Sequence, residues 1–346
     1  MRFGLIGLGG IGQLRKAALE RAPDVSLSAA FDLDEVRLRS AGAAVRRFGS
    51  ARALFASDAC DAVIVSTPPD THEELVLAAL EGGKHVLVEK PMAPAPEACR
   101  RMVEAARRAG RVLAVGFNQR YFAAIKLVRE AVCSGAIGRL SHVRGYAGHV
   151  GLAEFPAPWM YDRNVIGGGT LWDNGIHMID LVRHLMGDVA AVSGAVGTGI
   201  WQIEGTEDNG FALLHGRDGV TGTLQASWSE WRGYRFYLEA YGDRGMARAY
   251  YAPMTATLIT MDRPGGQRRV RRWLYPGNLV RERLRGWQST VIQTFLEEHG
   301  DFVALTLGRS PGPMALAEDG YRAIEIAAAI RRSAEIRGRI DLAARI

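Results

Sequence analysis

The feature that most constrains this chain is Gly7-Leu8-Gly9-Gly10-Ile11-Gly12, a GxGxxG run between an apolar stretch and an amphipathic one. Arg2-Phe3-Gly4-Leu5-Ile6-Gly7 reads as a buried strand, and Ile11 to Arg21 as the helix after it. Leu27-Ser28-Ala29-Ala30-Phe31 reads as a second strand, ending at Asp32, twenty residues beyond Gly12. In this context the run is a dinucleotide-binding fingerprint. Gly7 permits the tight turn, Gly9 lets the backbone approach a pyrophosphate, and Gly12 lets helix and strand pack closely. The helix amino terminus at Gly10 and Ile11 offers N–H groups and partial positive charge to the phosphates. Asp32 is placed to accept hydrogen bonds from the adenosine ribose. A carboxylate there repels a 2′-phosphate and favours NAD, while Arg37 and Arg39 are close enough to leave NADP open.

The strand–helix alternation continues. Ala62-Val63-Ile64-Val65-Ser66 is a third strand, stopped by Pro68 and Pro69, and a helix is expected from Thr71 to Glu81. His85 to Glu89 and Arg111 to Val115 are further strands, so the first part of the chain is expected to consist of βαβ units with a parallel sheet. After Asn118 the pattern changes. A helix near Phe122–Ser134 precedes period-two runs at Leu140–Tyr146, Phe211–His215, Val220–Ser227 and Phe236–Tyr241, which indicate a mainly antiparallel sheet. A helical insertion at Thr170–Leu185 and two late helices, at Gln288–Glu298 and Met314–Ile336, complete the reading. The fold class is α/β, with a dinucleotide-binding domain over 1–118 and a second α/β domain with a large open sheet over 119–346.

Two constellations carry chemistry. Val88-Glu89-Lys90-Pro91 ends a strand at the carboxyl edge of the parallel sheet, where open α/β sheets bind ligands. A lysine there can hold a substrate hydroxyl by a charge-assisted bond and pass on a proton if burial lowers its pKa. The other is Gly167-Gly168-Gly169-Thr170-Leu171-Trp172-Asp173-Asn174-Gly175-Ile176-His177. Thr170 is the expected cap of a helix on which Asp173 and His177, four apart, share a face. A neutral imidazole can take an alcohol proton, and the carboxylate can orient it. The bland alternatives are a surface lysine and an Asp–His pair that only stabilises a helix. No metal-ligand spacing and no nucleophile motif is present.

With these residues in place, the chain resembles the Gfo/Idh/MocA oxidoreductases, which include glucose–fructose oxidoreductase and inositol dehydrogenase. Carrying the likeness are Gly7 to Gly12, Ser66-Thr67-Pro68-Pro69-Asp70-Thr71-His72, the segment through Glu89-Lys90-Pro91, Gly116-Phe117-Asn118-Gln119-Arg120-Tyr121 and the glycine-led segment through His177. The resemblance implies a Rossmann domain, then an α/β domain whose open sheet builds contacts in a homo-oligomer, dimer or tetramer. It implies catalytic roles and substrate contact for Lys90, Asp173 and His177, and cofactor-side positions for Ser66, Thr67, Pro68, His72, Glu89 and Lys90. It places Asn118 and Arg120 at the nicotinamide end, the first toward cofactor and the second toward substrate. Tyr161, with Trp159, Asp162 and Trp172, fits either a cleft lining or plain aromatic packing. The implied reaction is hydride transfer between NAD(P) and a secondary alcohol or ketone of a sugar, cyclic polyol or sugar derivative. Three other readings stay open: a redox-neutral glycosidase or epimerase, a reductase of non-sugar carbonyls, and a non-catalytic NAD-binding regulator.

Composition narrows the partners. The formal charge is +6, and eight arginines with one acid crowd into Arg263–Arg285, which reads as a solvated loop, a subunit contact or an attractor of an anionic substrate. No nucleic-acid motif accompanies them. Three scattered cysteines, no membrane-length apolar run and a start that goes directly into a strand give a cytoplasmic expectation.

Overall fold

The computed structural model describes residues 1–153, 157–310 and 312–344. The chain divides into two compact units, Met1–Tyr121 with Arg281–Arg322, and Phe122–Val280 with Ala323–Ile346.

The first unit is built on seven strands: β1 (Arg2–Ile6), β2 (Ser26–Phe31), β3 (Arg46–Arg47), β4 (Ala62–Val65), β5 (His85–Glu89), β6 (Leu113–Gly116) and β15 (Ala315–Leu316). Their order is β15-β6-β5-β4-β1-β2-β3, parallel except for β15, which runs antiparallel to β6. β4 is buried at all four positions, as a strand covered on both faces requires. Helices α1 (Gly10–Leu19), α2 (Glu35–Arg39), α3 (Ala51–Phe55), α4 (His72–Glu81) and α5 (Pro96–Ala109) connect these strands. The strand order reverses between β1 and β4, so the glycine loop after β1 opens at the switch point, where the sheet leaves a crevice.

Residues 281–322 add a piece that the division at 118/119 had grouped with the rest of the chain. Within it, α10 (Gln288–Thr306) lies against α1. Ile292 and Phe295 pack with Ala18, and Phe302 meets Phe3 with ring centroids 5.8 Å apart. Helical periodicity shows that α10 has an apolar face, but not which surface covers it.

The second unit holds a nine-stranded sheet in the order β14-β13-β12-β11-β7-β10-β9-β8-β16. Its strands are β7 (Leu140–Gly148), β8 (Val189–Gly197), β9 (Asn209–Gly216), β10 (Thr221–Ser227), β11 (Arg235–Gly242), β12 (Gly245–Tyr251), β13 (Thr255–Thr260), β14 (Arg269–Leu274) and β16 (Ile340–Asp341). Every pair is antiparallel except β7 with β10. Helix α6 (Ala123–Cys133) covers β11–β13, and α8 (Gly175–Met186), after the short α7 (Arg163–Ile166), covers β7 and β10. The opposite face is a shallow open depression lined by Arg144, Phe211, Leu213, Gln225 and Tyr237. Helices α9 (Pro276–Arg285) and α11 (Ala317–Ile336) complete the chain.

Candidate active site

The loop after β1 has the backbone its glycines predict. Gly7 has φ +88°, a conformation that favours glycine, and a Cβ on Gly12 would stand 2.1 Å from the Gly7 carbonyl oxygen. A Cβ on Gly10 would meet nothing within 4 Å, so the mouth of the loop is open. The Asp32 carboxylate accepts from Leu8 N at 2.6 Å and Asp34 N at 2.8 Å, tying the end of β2 to the loop. Each oxygen keeps acceptor capacity for a ribose hydroxyl. Arg37 and Arg39 are drawn to Asp34 and Glu35 at 3.6 and 3.3 Å. Ser66, at the end of β4, has a buried hydroxyl oxygen with no partner among the described residues, and the Thr67 hydroxyl bonds that of Thr71 at 2.7 Å. An open glycine turn, an acid at the next strand end and an orphaned hydroxyl are the features a bound dinucleotide would use.

His72 does not face such a ligand. It is fully buried, with Nε2 2.8 Å from the Thr67 carbonyl and Nδ1 3.2 Å from that of Pro91, and burial pushes its pKa down. Its place is behind the loops, where it ties the Thr67 turn to the segment after Lys90. Arg120, expected on the substrate side, is held at the edge of the first unit. Its buried guanidinium bonds the Pro313 and Met314 carbonyls at 3.1 and 3.3 Å and reaches Asp319 at 3.4 Å. Asn118 donates to Thr294 on α10 at 2.9 Å.

Lys90 follows β5 and is half-buried, and Glu89 beside it turns inward. Glu89 accepts from the backbone of Lys90 at 3.3 Å and from Arg15 Nε at 2.7 Å. Arg15 is fully buried, lies 3.6 Å from the centroid of the Phe295 ring, and also binds Glu298 at 2.5 Å. Desolvation pulls its pKa down, but Glu298 and Glu89 together hold it above its ordinary value. One guanidinium cannot neutralise two buried carboxylates. Glu298 is the deeper, and desolvation, offset in part by Arg15, pushes its carboxyl up to about 7. His299 stays neutral because burial, and then the neighbouring Arg15 charge, both push its pKa down. None of Arg15, Glu298 or His299 stands out in sequence, because the motif reading stops at Gly12 and 283 residues separate Arg15 from Glu298.

In the second unit the glycine-led segment is not one helix from Thr170. Residues 170–174 form turns, with Asp173 N bonded to Gly169 O at 3.2 Å and Gly175 N to Thr170 O at 2.8 Å, and α8 starts at Gly175. Asp173 therefore sits in the turn before the helix and His177 in its first turn. Thr170 does not cap it, since its hydroxyl goes to Asn174 Oδ1 at 2.7 Å. The turns before α8 are held instead by the buried Glu207, whose Oε1 accepts from Gly169 N and Leu171 N, both at 3.0 Å.

Two N–H donors converge on Asp173 Oδ2: His149 Nε2 at 2.7 Å and Trp228 Nε1 at 3.0 Å. Gly151 N donates to His149 Nδ1 at 2.9 Å, which makes Nδ1 an acceptor and puts the ring proton on Nε2. His149 is thus a neutral donor that fixes the carboxylate, and sequence reasoning passed over it because it is a lone histidine at a strand end. Tyr161 packs edge-on against Trp228 at 5.1 Å, while Trp172 is wholly buried beneath Arg331. Trp172 is packing, not lining.

A Rossmann unit with this loop, in one chain with an α/β unit that presents a fixed carboxylate one turn before a histidine, defines an NAD-binding oxidoreductase. Residues 1–117 match the oxidoreductase family with an NAD-binding Rossmann fold, and residues 125–248 match the Gfo/Idh/MocA C-terminal domain. The chain belongs to the Gfo/Idh/MocA family of oxidoreductases. It is 30% identical to the myo-inositol 2-dehydrogenase of Thermotoga maritima over 349 residues, covering 99% of this chain and 98% of that protein. To the inositol 2-dehydrogenase of Rubrobacter xylanophilus it is 30% identical, over 94% of this chain and 88% of that one. The WlbA dehydrogenase of Bordetella pertussis, solved with NADH and UDP-GlcNAcA, superposes with a TM-score of 0.82 at 26% identity, covering 100% and 98% of the two chains.

Proposed function

We propose that this protein oxidises a secondary alcohol of a sugar, cyclic polyol or sugar derivative, reversibly and with NAD. When bound, NAD supplies the hydride acceptor. Gly7 to Gly12 with Ile11 would take the pyrophosphate, Asp32 the ribose, and Ser66, Thr67, Pro68 and Asn118 the remaining cofactor side. Glu89 supports Lys90 from beneath. The observation that carries the reading is the doubly anchored Asp173 one helical turn from His177. His177 removes the hydroxyl proton, Lys90 steadies the developing alkoxide, and Asp173 orients the reacting alcohol and His177. Tyr161 contributes its edge to the substrate side. The pairing of Arg37 and Arg39 with their own acids supports NAD over NADP.

The open face of the nine-stranded sheet, with Phe211 44% exposed, suits self-association into a dimer or tetramer. Among the described residues no helix is long and apolar enough to cross a membrane, and we place the protein in the cytoplasm.

The test is a substrate screen that follows reduced-cofactor absorbance, with NAD and NADP run separately over cyclitols, sugars, uronic acids and nucleotide sugars. Lys90→Ala and His177→Ala should each lower turnover at least about a hundredfold and retain NAD affinity. Near-normal turnover in both variants would refute the role assignments.

A further inference from the structure

The Asp173 cluster does not end at Trp228. Trp201 Nε1 donates to the Trp228 carbonyl at 2.9 Å, and the Trp201 ring lies 6.2 Å from that of Trp231. Trp231 is 64% exposed, an unusual position for the largest apolar side chain. Exposure here is not the result of a loose loop. The segment bearing Trp201 is clamped by the fully buried Asp208, whose Oδ2 accepts from Ile200 N at 2.6 Å and Trp201 N at 3.2 Å. The turn bearing Trp231 is pinned where Glu230 N donates to the His149 carbonyl at 3.1 Å. His149 thus holds the Asp173 carboxylate through its ring and the Trp231 turn through its backbone. A second exposed indole, Trp159, belongs to the turn whose Tyr161 packs on Trp228.

We infer that Trp201 and Trp231 form a platform for a second ring of the substrate, so that this protein acts on glycosides in preference to free monocyclic sugars or polyols. The inference rests on the proposed sugar chemistry and adds the substrate's size class. A pyranose presents a C–H face that packs on an indole, and its hydroxyls reach outward to water or polar groups. The reacting ring is held by the polar cluster around Asp173. The platform begins past Trp228, so a one-ring substrate in contact with Asp173 leaves it uncovered, whereas a glycosidic second ring or an aromatic aglycone covers it. An exposed aromatic surface continuous with a polar site marks a ligand groove more often than a solubility defect.

The experiment measures binding to the NAD-loaded full chain by calorimetry, alongside NADH formation. The probes are D-glucose, D-galactose and myo-inositol against phenyl glucoside, cellobiose, lactose and galactinol. Two-ring ligands should bind at least about tenfold tighter than their one-ring counterparts, a difference that drops to within about twofold in Trp231→Ala and is largely kept in Trp231→Phe. Equal affinities, no binding by any two-ring ligand, or a preference that survives in Trp231→Ala would each overturn the platform. Two-ring binding that depends on Trp231, with no NADH formed from any probe, would uphold the platform and count against the redox reading alone.

Discussion

Replacing Glu298 by glutamine tests whether the buried array beneath Lys90 holds a proton. In the wild type the carboxyl is raised from 4.5 to about 7 by burial, against the pull of Arg15. Between those values the folded protein binds a proton that the unfolded chain has released, so stability is full below pH 4.5 and is lost as pH rises through 7. The whole displacement corresponds to about 3 kcal/mol, of which about 2–3 falls between pH 5 and pH 8. Glutamine keeps a carbonyl oxygen for Arg15 and has no proton to lose, so the variant lacks this slope. For a unit of this size each kcal/mol moves the thermal midpoint by about 2–4 °C. Thermal unfolding of wild type and Glu298→Gln, followed from pH 5 to pH 8, should show the variant gaining on the wild type by roughly 5–10 °C. A constant offset across that range would show that Glu298 does not change protonation between pH 5 and pH 8 and would refute the reasoning.

Three further expectations follow from the geometry. His149→Ala removes a donor from the Asp173 carboxylate and should cut kcat/KM roughly tenfold to a hundredfold, the value of a hydrogen bond to a charged group; His149→Gln, which can still donate, should recover part of it, and no loss in either variant would make the bond incidental. Gly12→Ala drives a Cβ into the Gly7 carbonyl and should abolish NAD binding in titration calorimetry, while leaving the circular dichroism of the second unit's sheet in place. Phe211→Arg puts a charge on the open sheet face, and light scattering should then report a smaller species than the wild type.

Much of this was legible before any coordinates. The extents of β5, α4 and α6 match their sequence patterns to within a residue or two, because continuous apolar runs and flanking Gly or Pro are local signals. β3 and β15 are two residues each, too short for any period, and β15 comes from the far end of the chain. The glycine-led stretch through His177 was legible as residue types but not as shape. Four-residue spacing suggested one helix face, whereas Glu207, brought in from 36 residues away, holds Gly169 and Leu171 in a turn and delays the helix to Gly175. His72 and Arg120 were visible as polar residues at loop positions, but their direction depends on carbonyls that only the fold brings near. His149, Glu298 and Trp231 share the same reason for being missed: each meets a partner that is remote in sequence.

The late strand β15 and helix α10 bear on how the protein can be made. A ribosome releasing residues 1–121 delivers the glycine loop and six strands, but not the helix that covers Phe3 and Ala18 or the carboxylate of Glu298 that helps compensate Arg15. The nucleotide-binding half is therefore not a detachable module. A fragment cut at the domain border should emerge with an uncovered apolar flank and aggregate, and the nascent chain must wait for some two hundred more residues before its first-made part can close.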